Sequence, residues 1–365
     1  MIELKKILNT FKKNKCDFFT GVPDSCLKTL CNSLEKLPKK KHLIAVNEGA
    51  AVSIGIGYYL SEKKIPCIYM QNSGLSNAIN PLISIAHNSV YSIPLVLIIG
   101  WRGAPNSNDE PQHMNKGKIT RKLLNLLNIK NLNEKKNQDL KKLDKLIKYS
   151  KKNNKIVACL IKPEVLSKSN GVKSKLEKKS YIDKENFLKL LLRNLKKKSK
   201  IISSTGYTSR ELFYVRQKYK IINGDDFYMV GGMGHTSSVA LGFGLKSSNE
   251  VICLDGDGSL LMHMGAIKTI GDNPNSNLKY ILLNNNSHES VGGQKTNAFN
   301  VNFNQLSKSL GFKKYEKIYL KKNINNQIKN FLKKGGPSFL EVKIGSSIKT
   351  KLPRPKNLIK IKNKF

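Results

Sequence analysis

The stretch VICLDGDGSLLMHMGAIKTIGDNPNSNLKYILLNNNSHESVGGQKT, residues 251–296, decides how the rest of the chain is read. Val251–Leu254 is an apolar run with the length of a buried strand, and Gly256-Asp257-Gly258 turns the chain sharply. Leu260, Leu261, Met264, Ile267 and Ile270 then recur at helical spacing, and Tyr280–Leu283 is a second apolar strand that delivers Asn284-Asn285-Asn286. In a parallel strand–helix–strand unit both strands end on the same edge of the sheet, so Asp257 and the Asn cluster can meet there. A carboxylate and an amide oxygen at a strand edge suit a hard cation such as Mg2+, which also takes oxygen from phosphate and water. The helix start at Ser259 offers backbone N–H groups to that phosphate. Gly-Asp-Gly alone is a common turn and Asn is abundant in this chain; it is their combination in these strand contexts that is specific.

At 365 residues the chain has room for two domains of ordinary size. No run of about 18 apolar residues is present, so no membrane span is expected. The first eight residues, MIELKKIL, read as an amphipathic helix start rather than a signal peptide, which makes the cytoplasm the expected compartment. Six cysteines form no C-x-x-C pair and show no zinc spacing, so they read as reduced packing residues. The formal net charge of +40 raises the possibility of a nucleic-acid partner. Its distribution speaks against that role: 27 Lys/Arg against 7 Asp/Glu lie between Lys116 and Lys200, mostly Lys with few aromatics interleaved. A solvated, compositionally biased surface accounts for the excess, and its positive field would help draw in a small anion.

In the first half, a helix over Glu3–Asn14 is followed by a strand at Cys16–Thr20. Gly21-Val22-Pro23-Asp24-Ser25 then leads into a helix with Asp24 or Ser25 as its N-cap, an active-site acid being the other reading of Asp24. A strand at His42–Val46 runs into Asn47-Glu48-Gly49 and a small-residue helix, Ala50–Leu60, which leaves Glu48 at a strand end. Strands at Pro66–Met70 and Ile93–Gly100 lead into the polar loops 71–81 and 101–113. The second loop carries Arg102, Asp109, Glu110, Gln112 and His113, and loops of that length inside a compact domain tend to be functional. Ile119–Leu146 reads as one Lys-rich helix, and Lys155–Ile161 as a strand.

The chemistry-bearing turns of the second half recur in the same style. A helix at Asp183–Leu195 and a strand at Lys200–Ser203 precede the loop 204–213; Phe227–Val230 leads into Gly231-Gly232-Met233-Gly234-His235 and a helix over Ser237–Leu245 whose start points at the edge of Gly256. A helix at Val301–Leu310, a strand near Tyr315–Tyr319, a helix at Asn325–Lys333 and a strand at Ser338–Ile344 close the fold. The basic tail Lys349–Phe365 reads as surface, or as packed on a partner subunit. The expected architecture is α/β: two doubly wound parallel-sheet domains, residues 1–165 and 181–365, joined by a polar linker over 166–180.

The Gly-Asp-Gly turn followed by the Asn cluster resembles the diphosphate-binding signature of thiamine-diphosphate (ThDP) enzymes. With GVPDS (21–25), NEGAA (47–51), QNSG (71–74), GWRGAP (100–105), DEPQH (109–113) and GGMGH (231–235), nearly the whole chain is similar to the small decarboxylases of that family acting on phosphonopyruvate or sulfopyruvate, which lack a middle domain. The resemblance implies a pyrimidine-binding domain followed by a diphosphate-binding domain, with ThDP and Mg2+ as cofactors. It implies Asp257, the Asn285 side chain and the Ser287 carbonyl as metal ligands; spacing alone does not rank Asn284, Asn285 and Asn286. Glu48 would contact the aminopyrimidine ring and Met233 would prop the cofactor, with Gly232, Gly234, His235, Gly256, Gly258 and Ser259 lining it; a core methionine is the bland reading of Met233.

The implied reaction is loss of carbon dioxide from 3-phosphonopyruvate to give phosphonoacetaldehyde, a step of phosphonate biosynthesis. A group must hand a proton to the carbon that lost carbon dioxide; the candidates are His113, His288, Asp24 and His235. The substrate is a small anionic 2-oxo acid whose second anion needs a cation, for which Arg102 and Lys295 are the candidates, with Gln112 and His113 nearby in sequence. The family implies a homodimer or higher homo-oligomer, with Glu48 and Asp257 of one site drawn from different chains. Sulfopyruvate as the substrate is the nearest rival. A basic nucleic-acid-binding protein is the rival from another class. An inactive member of the fold is disfavoured by the presence of both Glu48 and the metal motif.

Overall fold

Val96–Gly100 (VLIIG) is buried at every position, as are Val157–Ile161 (VACLI) and Leu278–Asn284 (LKYILLN). A strand apolar on both faces must be covered on both faces, and parallel sheets with helices on either side meet that demand. The computed structural model describes residues 3–134, 140–163, 165–166, 181–273, 277–345 and 352–365. It divides into two compact units, residues 1–174 with 291–294 and residues 175–290 with 295–365. The expected linker lies almost wholly outside the described residues.

The first unit holds six strands: β1 (Phe19–Gly21), β2 (His42–Ile44), β3 (Cys67–Gln71), β4 (Val96–Gly100), β5 (Lys130–Glu134) and β6 (Val157–Ile161). The second holds β7 (Lys200–Ser203), β8 (Asp225–Tyr228), β9 (Val251–Gly256), β10 (Leu278–Asn284), β11 (Lys314–Ile318) and β12 (Ser338–Lys343). Their spatial orders are β2-β1-β3-β4-β6-β5 and β8-β7-β9-β10-β12-β11, with every neighbouring pair parallel. Counted from its own first strand, each unit therefore follows the same path, and the two sheets are topological copies. Residues alternate strictly between the two cores of each sheet. Tyr69, Ile98 and Cys159 enter one cluster of the first unit, and Ile68, Leu97 and Ala158 the other. In the second unit Ile252, Ile281 and Leu340 face one side, Cys253, Tyr280 and Phe339 the other.

Several elements differ from the sequence expectation. The span 119–146 is two helices, Pro111–Leu126 and Leu140–Asn153, with β5 between them. β5 is an edge strand of sequence KNLNE, paired only with β6, so it needs few apolar residues. The helix after β1 starts at Lys28 with Leu27 at its cap position, so neither Asp24 nor Ser25 caps it. His113 and Gln112 lie in the first turn of the helix Pro111–Leu126 rather than in a loop, because Pro111 suits a helix start. The helical stretch after Asp257 breaks at His263-Met264 into Asp257–Met262 and Gly265–Asp272. The tail forms a helix, Leu358–Lys364, against its own unit: the Phe365 ring lies 5.0 Å from Phe243 and 5.7 Å from Phe227, and Lys364 pairs with Asp225 at 3.0 Å. Five of the six cysteines are buried and all six are free thiols. Among the described residues no helix is long and apolar enough to cross a membrane.

Candidate active site

In the second unit the β9–β10 register pairs Gly256 with Leu283, so Asp257 and the Asn cluster leave adjacent strands at the same level. Asp257 is 3% exposed and opens the helix Asp257–Met262. Burial pushes its carboxyl up to about 6, opposed by the hydrogen bond that Thr296 Oγ1 donates to Oδ2 at 2.7 Å. The three asparagines, equivalent by spacing, differ in their surroundings. Asn284 donates to Glu341 Oε1 on neighbouring β12 at 2.8 Å and is consumed within the sheet. Asn286 takes the left-handed conformation, φ +55°, and its carbonyl accepts from the Thr296 backbone N–H at 3.0 Å. Asn285 Oδ1 accepts from the Ser287 N–H at 3.0 Å, and its Nδ2 donates to Glu289 at 3.2 Å. The buried oxygens Asn286 Oδ1 and Ser287 Oγ have no hydrogen-bond partner among the described residues.

The loop Gly231–His235 is tied to this edge by the Gly234 N–H, which donates to Ser259 Oγ at 3.1 Å. Gly232 and Gly234 sit at φ +65° and +89°, and a β-carbon on Gly234 would fall 2.4 Å from the His263 ring, so both positions require glycine. His235 stacks on His263 with centroids 4.6 Å apart. A β-carbon on Gly258 would come within 2.9 Å of the His288 imidazole, which fixes His288 against the same turn. Burial pushes that imidazole down to about 4, leaving it neutral at pH 7. Met233 is half-buried and belongs to neither core cluster of its unit. Lys295 is exposed, next to Thr296.

The first unit presents its own carboxyl edge. Asn47 caps the helix Glu48–Glu62 by accepting from the Ala50 N–H at 2.8 Å, which leaves Glu48 as the first helical residue, 5% exposed. Its Oε2 accepts from Asn77 Nδ2 at 2.9 Å. Asp24, 1% exposed, follows β1; Gln71 at the end of β3 donates to its Oδ1 at 2.6 Å, and the Cys26 N–H donates to Oδ2 at 3.1 Å. Burial raises the Asp24 carboxyl above the ordinary carboxylate range, with Gln71 and the Arg102 charge opposing. Arg102 follows β4 and is engaged by Asp109, whose carboxylate also accepts from the N–H groups of Gly103 and Glu110 at 2.8 Å each. That guanidinium holds the Asp109 carboxyl well below its usual range; it also donates to Ser25 Oγ at 3.2 Å. Gly103, at φ +63°, lies against the His113 carbonyl and so packs the Arg102 loop on the start of the helix that carries Gln112 and His113.

The first edge thus gathers Asp24, Gln71 and Arg102, and holds Glu48; the second gathers Asp257, Asn285, Ser287, Gly258, Ser259, Gly234 and His288. Sequence reading did not foresee Asn77, Gln71, Thr296 or Asp109 as their partners, nor the buried ions Lys184, Glu211 and Glu289 behind Asn285. Among the described residues no three His, Cys, Asp or Glu side chains cluster as metal ligands. One carboxylate with amide and backbone oxygens is a donor set for a hard cation. The partnerless oxygens beside Asp257 and the two left-handed glycines fit Mg2+ and a diphosphate there.

The family model described as thiamine pyrophosphate enzyme, N-terminal TPP binding domain, matches residues 5–123, and that of the C-terminal TPP binding domain matches residues 203–342. The chain is 29% identical over 352 residues to phosphonopyruvate decarboxylase of Streptomyces viridochromogenes, covering 92% of this chain and 87% of that protein. It is 36% identical over 132 residues to the sulfopyruvate decarboxylase subunit beta of Methanocaldococcus jannaschii, covering 36% of this chain and 68% of the subunit. To the subunit alpha from the same organism it is 34% identical over 144 residues, covering 40% of this chain and 81% of the subunit. With both domain models matched in order and a doubly wound sheet for each, the chain belongs to the thiamine pyrophosphate enzyme family, as a decarboxylase of the carbon–carbon lyase class.

Proposed function

We propose that this protein uses thiamine diphosphate and Mg2+ to decarboxylate 3-phosphonopyruvate, releasing carbon dioxide and phosphonoacetaldehyde. The observation that carries the reading is the buried Asp257 on the strand edge it shares with Asn285 and Ser287, in a chain similar over nine-tenths of its length to a phosphonopyruvate decarboxylase. Asp257, the Asn285 side chain and the Ser287 carbonyl hold the cation, and Gly232, Met233, Gly234, His235, Gly256, Gly258 and Ser259 line the cofactor. When bound, the thiazolium ring supplies the electron sink that the departing carboxylate requires. Glu48 hydrogen-bonds the aminopyrimidine, its carboxylate aimed by Asn77.

The remaining residues act on the substrate. Asp24, whose carboxyl is raised by burial against the hydrogen bonds from Gln71 and the Cys26 N–H that favour its ionised form, is a candidate for the proton step. His288, held neutral by burial beside Gly258 on the second unit's edge, serves as a hydrogen-bonding partner; His113 and His235 are the other candidates for the proton step. Arg102 and Lys295 attract the phosphonate, with Gln112 and His113 alongside; the charge of Arg102 is already shared with Asp109, so Lys295 is the freer cation. Glu48 and Asp257 of one site come from different subunits of a homo-oligomer, as the family resemblance implies, and the aldehyde enters phosphonate biosynthesis in the cytoplasm.

Sulfopyruvate is the second reading, favoured by the identities of 36% and 34% to sulfopyruvate decarboxylase subunits. A coupled aldehyde assay across phosphonopyruvate, sulfopyruvate and pyruvate decides between them. Phosphonopyruvate is expected to give the highest kcat/KM, and a higher value for sulfopyruvate would replace this reading with the second.

A further inference from the structure

Behind Asn285 lies a charged cluster with no part in the site as described so far. Lys184 Nζ sits 2.9 Å from Glu211 Oε2 and 3.3 Å from Glu289 Oε2, and the three side chains are only 5%, 7% and 13% exposed. They come from three elements: Lys184 opens the helix Lys184–Asn194, Glu211 lies in the helix Tyr207–Tyr219, and Glu289 follows the Asn cluster. Buried ion pairs of this kind gain little net stability over well-packed apolar residues, so their presence asks for another reason.

The geometry at Asn285 supplies one. The oxygen of Glu289 that faces Lys184 also accepts from Asn285 Nδ2 at 3.2 Å, while Asn285 Oδ1 accepts from the Ser287 N–H at 3.0 Å. The side-chain amide is therefore held at both ends. Flipped, it would set its N–H2 against the Ser287 N–H and its oxygen against the Glu289 carboxylate, two repulsions in a part-buried place. Without Glu289 only the Ser287 contact would remain to select the orientation.

We propose that Glu289 is a positioning residue for the cation site: it fixes which end of the Asn285 amide is oxygen, and Lys184 with Glu211 anchors it. The inference rests on the reading of Asn285 as a ligand of the divalent cation. Glu289 acts through Asn285, as outer partners of metal ligands do.

The test is the binding of Mn2+ in place of Mg2+ at saturating thiamine diphosphate, followed by the electron paramagnetic resonance signal of the free ion, a readout independent of turnover. Glu289→Met, which keeps the volume and removes the acceptor, is expected to raise the Mn2+ Kd by about 10- to 100-fold. Glu289→Gln keeps an oxygen for Asn285 Nδ2 and retains most of the affinity. In an Asn285→Ala background Glu289→Met adds no further loss, since the residue acts through the side chain already removed. Glu289→Ala takes the place of Glu289→Met if the latter does not fold. Wild-type Mn2+ affinity in the Met or Ala variant, or an equal loss in the Asn285→Ala background, overturns the proposal while leaving the decarboxylase reading intact. A wild-type protein that binds no Mn2+ with thiamine diphosphate refutes the reading beneath it.

Discussion

Glu48 Oε1 lies where a β-carbon on residue 74 would stand: an alanine there would put that carbon 2.0 Å from the oxygen. Gly74 belongs to the turn after β3 and Glu48 to the helix after β2, so the close approach locks two loops together, and Asn77 completes the hold on the carboxylate. Gly74→Ala must displace the Glu48 carboxylate or its own turn. A misplacement of about 1 Å costs roughly 100-fold in rate where geometry governs chemistry. The expected outcome is a fall of that order in kcat with thiamine diphosphate affinity, measured by calorimetry, changed only a few-fold; Glu48→Gln, which removes the carboxylate itself, is expected to bring turnover down to background with a similarly small change in affinity.

Asp257 carries a pH signature. Its folded carboxyl stands near 6 against an ordinary 3.8, so the protonated form is the one folding favours. The contribution of this group to stability is fully present below the unfolded value and is lost as pH rises through about 6, a difference of about 3 kcal/mol at most. A cation needs the ionised form. The rise in Tm given by Mg2+ and thiamine diphosphate together is therefore expected to be small at pH 5 and full at pH 7.5, and Asp257→Asn is expected to flatten that dependence; a rise equal at both pH values would remove Asp257 as a ligand.

The Arg102–Asp109 pair closes the loop that leads to Gln112 and His113. Asp109 is 6% exposed, and Asp109→Asn leaves a half-buried guanidinium without its counter-charge, at a cost of about 3 kcal/mol. Because Arg102 holds the Asp109 carboxyl well below the ordinary range, the pair's contribution persists at pH 5 and fades only as pH falls below the unfolded value towards the folded one. Trp101, the only tryptophan and 4% exposed, reports on this neighbourhood, so the unfolding of the first unit is read by its fluorescence. A variant with unchanged midpoint would show the loop to be held elsewhere.

Shared sites make a mixing experiment informative. If each site takes Glu48 from one chain and Asp257 from another, the inactive variants Glu48→Gln and Asp257→Ala, assembled together, regain roughly a quarter of wild-type activity, since half the dimers carry one intact site. No recovery on mixing, with mixed oligomers demonstrated, would place each site within one chain.

Much of this was legible in the sequence for a physical reason. Strands buried on both faces, such as VLIIG and VACLI, have to be continuously apolar, and the turns at their carboxyl ends have to carry the polar chemistry. Edge strands lack that constraint: KNLNE hid within a Lys-rich span read as helix, because one flank faces solvent and its pattern is mostly polar. The six-strand path repeated in the same order across the two units was equally invisible, since it lives in pairings rather than in composition. At the site, Asp257 and the Asn cluster stand out by local spacing, but the different surroundings of the asparagines, Asn284 on Glu341 and Asn285 on Glu289, do not, and Lys184 reaches Glu289 across 105 positions. Charged residues near a helix start, as at Asp183-Lys184-Glu185, read as solvated surface until the fold buries one of them.

The most direct test is carbon dioxide release from phosphonopyruvate by the wild-type protein, Glu48→Gln and Asp257→Ala, side by side with and without thiamine diphosphate and Mg2+. The predicted result is release by the wild type only when both cofactors are present, one carbon dioxide for each aldehyde formed, and none above background from either variant. Release that survives both substitutions, or a fully loaded wild-type protein that releases none from any 2-oxo acid offered, would contradict it.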